Sequence, residues 1–105
     1  MSTCICSLDA LAPYEGRVVL KDDIQIALFY VPQHGVFALQ NWDPIGHANV
    51  LARGIIGDQK GQLCVASPLY KQHFALLSGQ CLEQPDTQLD TWRAEIKDGQ
   101  VWLDL

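Results

Sequence analysis

The side chains able to do metal or nucleophilic chemistry in this chain are few: Cys4, Cys6, Cys64 and Cys81, with His34, His47 and His73. Thiolate and imidazole donors together hold zinc, or an iron–sulfur cluster in which two cysteines bind one iron and two histidines the other. Such a cluster needs Cys-x-His in one loop and Cys-x-x-His in another. Two residues beyond the cysteines stand Cys6, Leu8, Ala66 and Glu83; three beyond stand Ser7, Asp9, Ser67 and Gln84. None is a histidine, so neither spacing occurs. Cys4-x-Cys6 is a conceivable zinc half-site, completed by Cys64, Cys81 or a histidine. The favoured reading places both on a first strand, pointing to opposite faces.

Other chemistries are weaker still. Cys64 sits between Leu63 and Val65 and reads as a small core residue, whereas Cys81, after Ser78-Gly79, has no partner that argues for a site. Each histidine reads as a loop or surface residue, and no serine or cysteine has a context that would activate it. Tyr70 and Asp43 would make an acid and a base if their loops met; solvated loop residues are the simpler reading. Gly57-Asp58-Gln59-Lys60-Gly61 lacks the spacing of a phosphate-binding loop and reads as a β-turn, the loop leading into a strand.

The elements that must position these residues are short strands. Ile24, Ile26, Leu28 and Tyr30 alternate on one face of a strand. Gly35–Gln40 follows Pro32 as the return arm of a hairpin, and Gln62–Ala66 is another strand. Near the C-terminus Asp98-Gly99 is a two-residue hairpin signal, since both residues tolerate positive φ. It pairs Lys97 with Gln100, Ile96 with Val101, Ala94 with Leu103 and Trp92 with Leu105, giving one apolar side. Arg93 then lies opposite Asp104, a pair worth about 0.2–1 kcal/mol. No segment reads as a helix. The expectation is a single all-β domain over residues 1–105, a small barrel or sandwich of short antiparallel strands.

Composition narrows the function. Of 105 residues, 49% are hydrophobic and 18% charged, enough apolar surface to fold around a core. Seven basic against twelve acidic residues give a net charge of -5, with no basic cluster to neutralise phosphate. Nucleic acid and anionic membrane surfaces are therefore not expected partners. The first sixteen residues carry no basic side chain and place Asp9 within their apolar part, unlike a secretory leader. A cytoplasmic location with reduced cysteines is expected.

From about Ile24 to Leu105 the chain resembles the Rieske fold. The landmarks are Val36-Phe37-Ala38-Leu39, Asn41-x-Asp43-Pro44-x-Gly46, Arg53-Gly54, Gln62 through Leu69, Phe74-x-Leu76-x-Ser78-Gly79-x-Cys81 and Ala94 through Val101. Against that pattern, the Cys-Pro-His of the first ligand loop is Asp43-Pro44-Ile45. The Cys-Pro-x-His of the second is Ser67-Pro68-Leu69-Tyr70. All four ligand positions, Asp43, Ile45, Ser67 and Tyr70, hold other residues. Together with "NWDPI", "LARGIIGD" and "VASPLYKQHF", this is similar to the small subunit of the cytoplasmic NAD(P)H-dependent nitrite reductase.

The resemblance implies a non-catalytic chain without cofactor or metal. It implies a large-subunit partner that carries FAD, an iron–sulfur cluster and sirohaem and reduces nitrite to ammonium in nitrate assimilation. It also implies that the former ligand loops, Pro44, Ile45, Pro68, Leu69, Tyr70 and Lys71, form a tip for docking that partner. Pro44 and Pro68 would stiffen the loops, and Ile45, Leu69 and Tyr70 would pack across the gap a cluster would fill. Two alternatives remain at this level. One is a cluster-less binding or structural module of another oxidoreductase complex; the other is an electron carrier using Cys4, Cys6 and a histidine.

Overall fold

The computed structural model describes residues 2–105. Twelve short strands carry the fold: β1 (Ser2–Ser7), β2 (Gly16–Lys21), β3 (Ile24–Val31), β4 (Gly35–Gln40), β5 (Trp42–Asp43), β6 (Ala48–Asn49), β7 (Ile55–Gln59), β8 (Gln62–Ala66), β9 (His73–Ala75), β10 (Thr91–Trp92), β11 (Ala94–Lys97) and β12 (Gln100–Asp104). The only helical turns among the described residues are two single 3₁₀ turns, Leu8–Ala10 and Leu51–Arg53. The strands form sheets in the orders β1-β12-β11, β10-β4-β3-β2, β5-β6 and β7-β8-β9, and every paired strand is antiparallel to its neighbour.

Period-two alternation explains how one central sheet serves two cores. On β3 and β4, Ala27, Phe29, Val31 and Leu39 face one way and make the first core with Leu51, Val65, Phe74 and Leu76. Ile26, Leu28, Val36 and Ala38 face the other way and make the second core with Leu11, Val101 and Leu103. The expected alternation of Ile26, Leu28 and Tyr30 is present, but the intervening residues are no less buried, since Ala27 and Phe29 are fully covered. A strand sandwiched on both faces reads as a continuous apolar run, which is why "IALF" carries no polar residue. Ile24, at the strand's start, is exposed.

Left-handed turn residues set the registers. The C-terminal hairpin pairs Lys97 with Gln100, Ile96 with Val101 and Ala94 with Leu103 around Asp98 (φ 53°) and Gly99 (φ 72°), as the sequence predicts. The pairing does not run on to Trp92. That residue joins β4 opposite Ala38, because its indole packs on the second core beside Ala94 and Leu105. Arg93 and Asp104 do lie together: the Asp104 N–H donates to the Arg93 carbonyl at 2.9 Å. Residues 57–61 are not a loop. Gly57, Asp58 and Gln59 continue β7, and only Lys60 (φ 55°) and Gly61 (φ 82°) turn, with the Gly61 N–H held by Asp58 Oδ1 at 2.7 Å.

Cys4 and Cys6 do point to opposite faces, for a reason that spacing alone does not supply. Residues i and i+2 of a regular strand share a face. A bulge in β1 pairs Cys4 with Trp102 but Cys6 with Val101, and so moves the two thiols apart. Cys4 Sγ lies 3.6 Å from Gln100 Oε1 at the surface, while Cys6 packs on the second core.

Candidate functional site

One end of the molecule is built from the segment between β4 and β7 and the segment between β8 and β9. Asn41, buried at the end of β4, shapes the first loop. Its Oδ1 accepts from the Ala52 N–H at 2.7 Å, its Nδ2 donates to Gln25 Oε1 at 2.9 Å, and its carbonyl accepts from the Val50 and Leu51 amides. Three otherwise orphaned backbone donors are thus satisfied by one residue in a place with no ladder partner. Asn41 is a landmark of the motif in the sequence, but only this bonding shows its function; a buried asparagine at a strand end is the signal.

Asp43 and Ser67, which the resemblance sets at the two cysteine positions, meet. Ser67 Oγ donates to Asp43 Oδ2 at 2.5 Å. Asp43 Oδ1 accepts from the Ile45 and Gly46 amides at 2.8 and 3.0 Å, and Ser67 Oγ accepts from the Leu69 amide at 3.2 Å. Asp43 is 0% exposed and Ser67 1%. The hydroxyl proton and two amides leave neither carboxyl oxygen of Asp43 without a donor. The result is a closed polar network in which every bond organises one loop or joins the two.

The other two ligand positions diverge. Ile45 packs against the first core, and Leu69 lies over Gly46, where an added Cβ would meet Leu69 Cδ1 at 2.7 Å and Leu69 Cβ at 2.9 Å. Leu69 thus reaches from the second loop onto the first. Tyr70 does not join them. It is 75% exposed, and it and Lys71 both adopt left-handed backbone at φ 59° and 54°. The turn that carries them is closed by the Ser67 N–H donating to the Gln72 carbonyl at 2.9 Å. The acid–base pairing of Tyr70 with Asp43 is therefore not formed: the loops meet through Ser67, and Asp43 has no surface left to offer a substrate.

Around this tip, apolar side chains stand in solvent. Ile55, paired with Ala66 directly before Ser67, is 76% exposed. Trp42, directly before Asp43, is 42% exposed and stacks edge-on against His47 with ring centroids 6.2 Å apart. Pro68 and Lys71 are also exposed, and Pro44 is half-buried. The neighbouring segment adds a clasp that sequence reading missed. Glu83 accepts the His73 N–H at 2.8 Å with one oxygen, and its other oxygen lies 2.6 Å from His73 Nδ1. Burial pushes the Glu83 carboxyl up, but the backbone and ring hydrogen bonds from His73 outweigh it and hold the group below the ordinary value of 4.5. Ten residues separate the partners, so only the fold could reveal the pair.

The cysteines are explained by packing. Cys64 and Cys81 are buried free thiols, and burial, then the charges of Asp58 and Glu83, push the Cys64 thiol up, away from reactivity. Burial likewise raises the Cys6 thiol. Among the described residues, no three His, Cys, Asp or Glu side chains converge as a metal site. The donor set between the loops, one carboxyl, one hydroxyl and two hydrocarbon side chains already bonded or packed together, does not fit a mixed thiolate–imidazole iron cluster. A groove of about 630 Å³ lies elsewhere, between β4 and β10–β11, lined by Phe37, Leu77, Trp92 and Ile96. No described helix is long and apolar enough to cross a membrane.

Comparison with known proteins agrees with this geometry. The model of the family described as a Rieske-like [2Fe-2S] domain matches residues 2–104. The "nitrite reductase (NADH) small subunit" of Escherichia coli (strain K12) is 43% identical over 101 residues, covering 94% of this chain and 93% of that protein. The solution structure of the E. coli protein NirD superposes with a TM-score of 0.87 at 40% identity, covering 98% of this chain and 96% of that one. A "nitrite reductase [NAD(P)H] large subunit" of Klebsiella oxytoca contains a segment 38% identical over 99 residues, 94% of this chain but only 10% of that protein.

Proposed function

The chain belongs to the Rieske-like domain family and, within it, to the nitrite reductase small subunits, and from that premise we propose that it is the non-catalytic small subunit of an NAD(P)H-dependent nitrite reductase. It forms one domain over residues 1–105 that supports a large subunit in the cytoplasm during nitrate assimilation. Nicotinamide oxidation and nitrite reduction to ammonium take place on the FAD, iron–sulfur cluster and sirohaem of that partner. The observation that carries the reading is the Klebsiella oxytoca large subunit, in which a segment like this chain is part of the same polypeptide. A module joined to a catalytic chain in one organism is, in another, a subunit that must find the same chain by surface complementarity.

The tip supplies that surface. Ile55, Tyr70 and Trp42 expose apolar area around a preorganised pair of loops, and a rigid surface loses less entropy on docking than a mobile one. Pro44, Ile45, Pro68, Leu69, Tyr70 and Lys71 are assigned to it. With Asp43 and Ser67 bonded to each other, the small subunit holds no cluster and passes no electrons; its part is to bind and position.

Affinity-tagged chain, expressed in its native cell, is the test. A large flavin- and sirohaem-containing partner should co-elute, and the eluate should reduce nitrite with NADH or NADPH. A colourless chain that elutes alone overturns the assignment. Iron and acid-labile sulfide in the separated small subunit would overturn the cluster-less reading alone.

A further inference from the structure

A buried polar pair in an otherwise apolar core needs a reason, because two well-packed hydrophobic residues would hold the same two segments together with no desolvation penalty. Asp43 and Ser67 are such a pair. They lie 24 residues apart, are essentially inaccessible, and are bonded to each other at 2.5 Å across the two tip loops. Their remaining side-chain bonds all run to backbone amides of the tip itself: Ile45 and Gly46 on one loop, Leu69 on the other. A hydrophobic contact resists separation but does not select a geometry; a saturated hydrogen-bond network does.

The second loop needs such selection. Tyr70 and Lys71 are consecutive non-glycine residues in left-handed conformation, an arrangement that persists only where its surroundings impose it. They are imposed from both ends. Ser67 closes the turn with its N–H to the Gln72 carbonyl, and its Oγ receives the Leu69 N–H while donating to Asp43. Leu69, wedged over Gly46, keys the turn onto the first loop.

We infer that the Ser67–Asp43 hydrogen bond is a positioning latch: it holds Tyr70 in the strained, exposed geometry in which it docks on the large subunit, and its removal loosens partner binding out of proportion to its effect on folding. Neither residue touches the partner, since both are covered by the chain's own atoms. The inference rests on the tip being the docking surface, and the two claims are separable by experiment.

The experiment uses the large subunit that co-purifies with the chain and measures its dissociation constant for small-subunit variants at a temperature where each is fully folded by circular dichroism. Three substitutions decide it. Tyr70→Ala reports on the tip itself. Ser67→Ala breaks the latch from the side that leaves the Asp43 bonds to Ile45 and Gly46 in place. Asp43→Asn keeps shape and one accepting oxygen. Ser67→Ala should weaken binding about tenfold, Asp43→Asn less, and both should speed amide exchange at Leu69 while leaving β3 and β4 protected. A double-mutant cycle between Ser67→Ala and Tyr70→Ala should show coupling in affinity, since the latch acts through Tyr70. If Tyr70→Ala weakens binding but Ser67→Ala and Asp43→Asn bind as the parent does, the latch is only a fold-stabilising contact and the inference fails while the tip remains the docking site. If Tyr70→Ala binds unchanged, the docking role of the tip fails and the latch inference falls with it.

Discussion

The C-terminal ribbon of β11 and β12 and the tip loops both depend on left-handed residues, but they obtain them by opposite means. The ribbon places Asp98 and Gly99 at its turn, residues that accept positive φ readily, and the strands need only be adjacent in the chain to pair. The tip places Tyr70 and Lys71 there, and each carries a conformational penalty of about 1–2 kcal/mol. That strain is offset by contacts with a loop more than twenty residues away. The ribbon is a local solution with little to lose; the tip is a non-local one whose shape depends on a few buried bonds. Strain of this kind gathers where a surface must present a side chain in one particular way.

Breaking the tip's central bond gives the largest expected effect. Asp43→Ala strands two amides and the Ser67 hydroxyl in a buried site, and the loss should be about 3–4 kcal/mol in urea unfolding; a loss below 1 kcal/mol would show that water replaces the carboxyl freely. Next come two glycines that distinguish the regions. Gly46→Ala drives a Cβ into Leu69 at 2.7 Å and should lose about 1–3 kcal/mol from overpacking. Gly99→Ala meets nothing within 4 Å and should lose only the left-handed penalty, about 1 kcal/mol. Equal losses would remove the distinction between a glycine chosen for space and one chosen for φ.

The third test reverses sign. Lys71→Gly releases the strain at φ 54° and should raise stability by about 1 kcal/mol, whereas Asp98→Gly in the ribbon should gain only a few tenths. A destabilised Lys71→Gly would mean that the lysine side chain is held by contacts worth more than its strain. The smallest effect belongs to the Glu83–His73 clasp beside the tip. The Glu83 carboxyl titrates below its ordinary value of 4.5 in the fold, so its contribution is complete above that pH and is lost as pH falls through the lower, folded value. Glu83→Gln should therefore be less stable than the parent at pH 7 and converge with it under acid; a difference that persists at pH 2 would assign the clasp to packing. Glu83 is 43% exposed, so the neutral-pH gap should be small.

What could be read directly from residues was whatever is decided by neighbours in the chain. The ribbon's register followed from Asp98-Gly99 and the central strand from its apolar alternation. Residues 57–61 misled because Gly57 and Asp58 look like turn formers until β8 pairs with them. Trp92 was assigned to the ribbon because nothing nearby in sequence reveals that β4 competes for it.

The sequence by itself determined that the chain is a β protein of the Rieske shape, because residue type and short-range period carry that information. Only the tertiary structure decided what joins the two tip loops. Whether Asp43 finds Ser67, whether Leu69 turns in while Tyr70 turns out, and whether the β1 bulge parts Cys4 from Cys6 all depend on distances between segments remote in sequence. Those distances are set by two packed cores and a handful of buried hydrogen bonds, which no local pattern encodes.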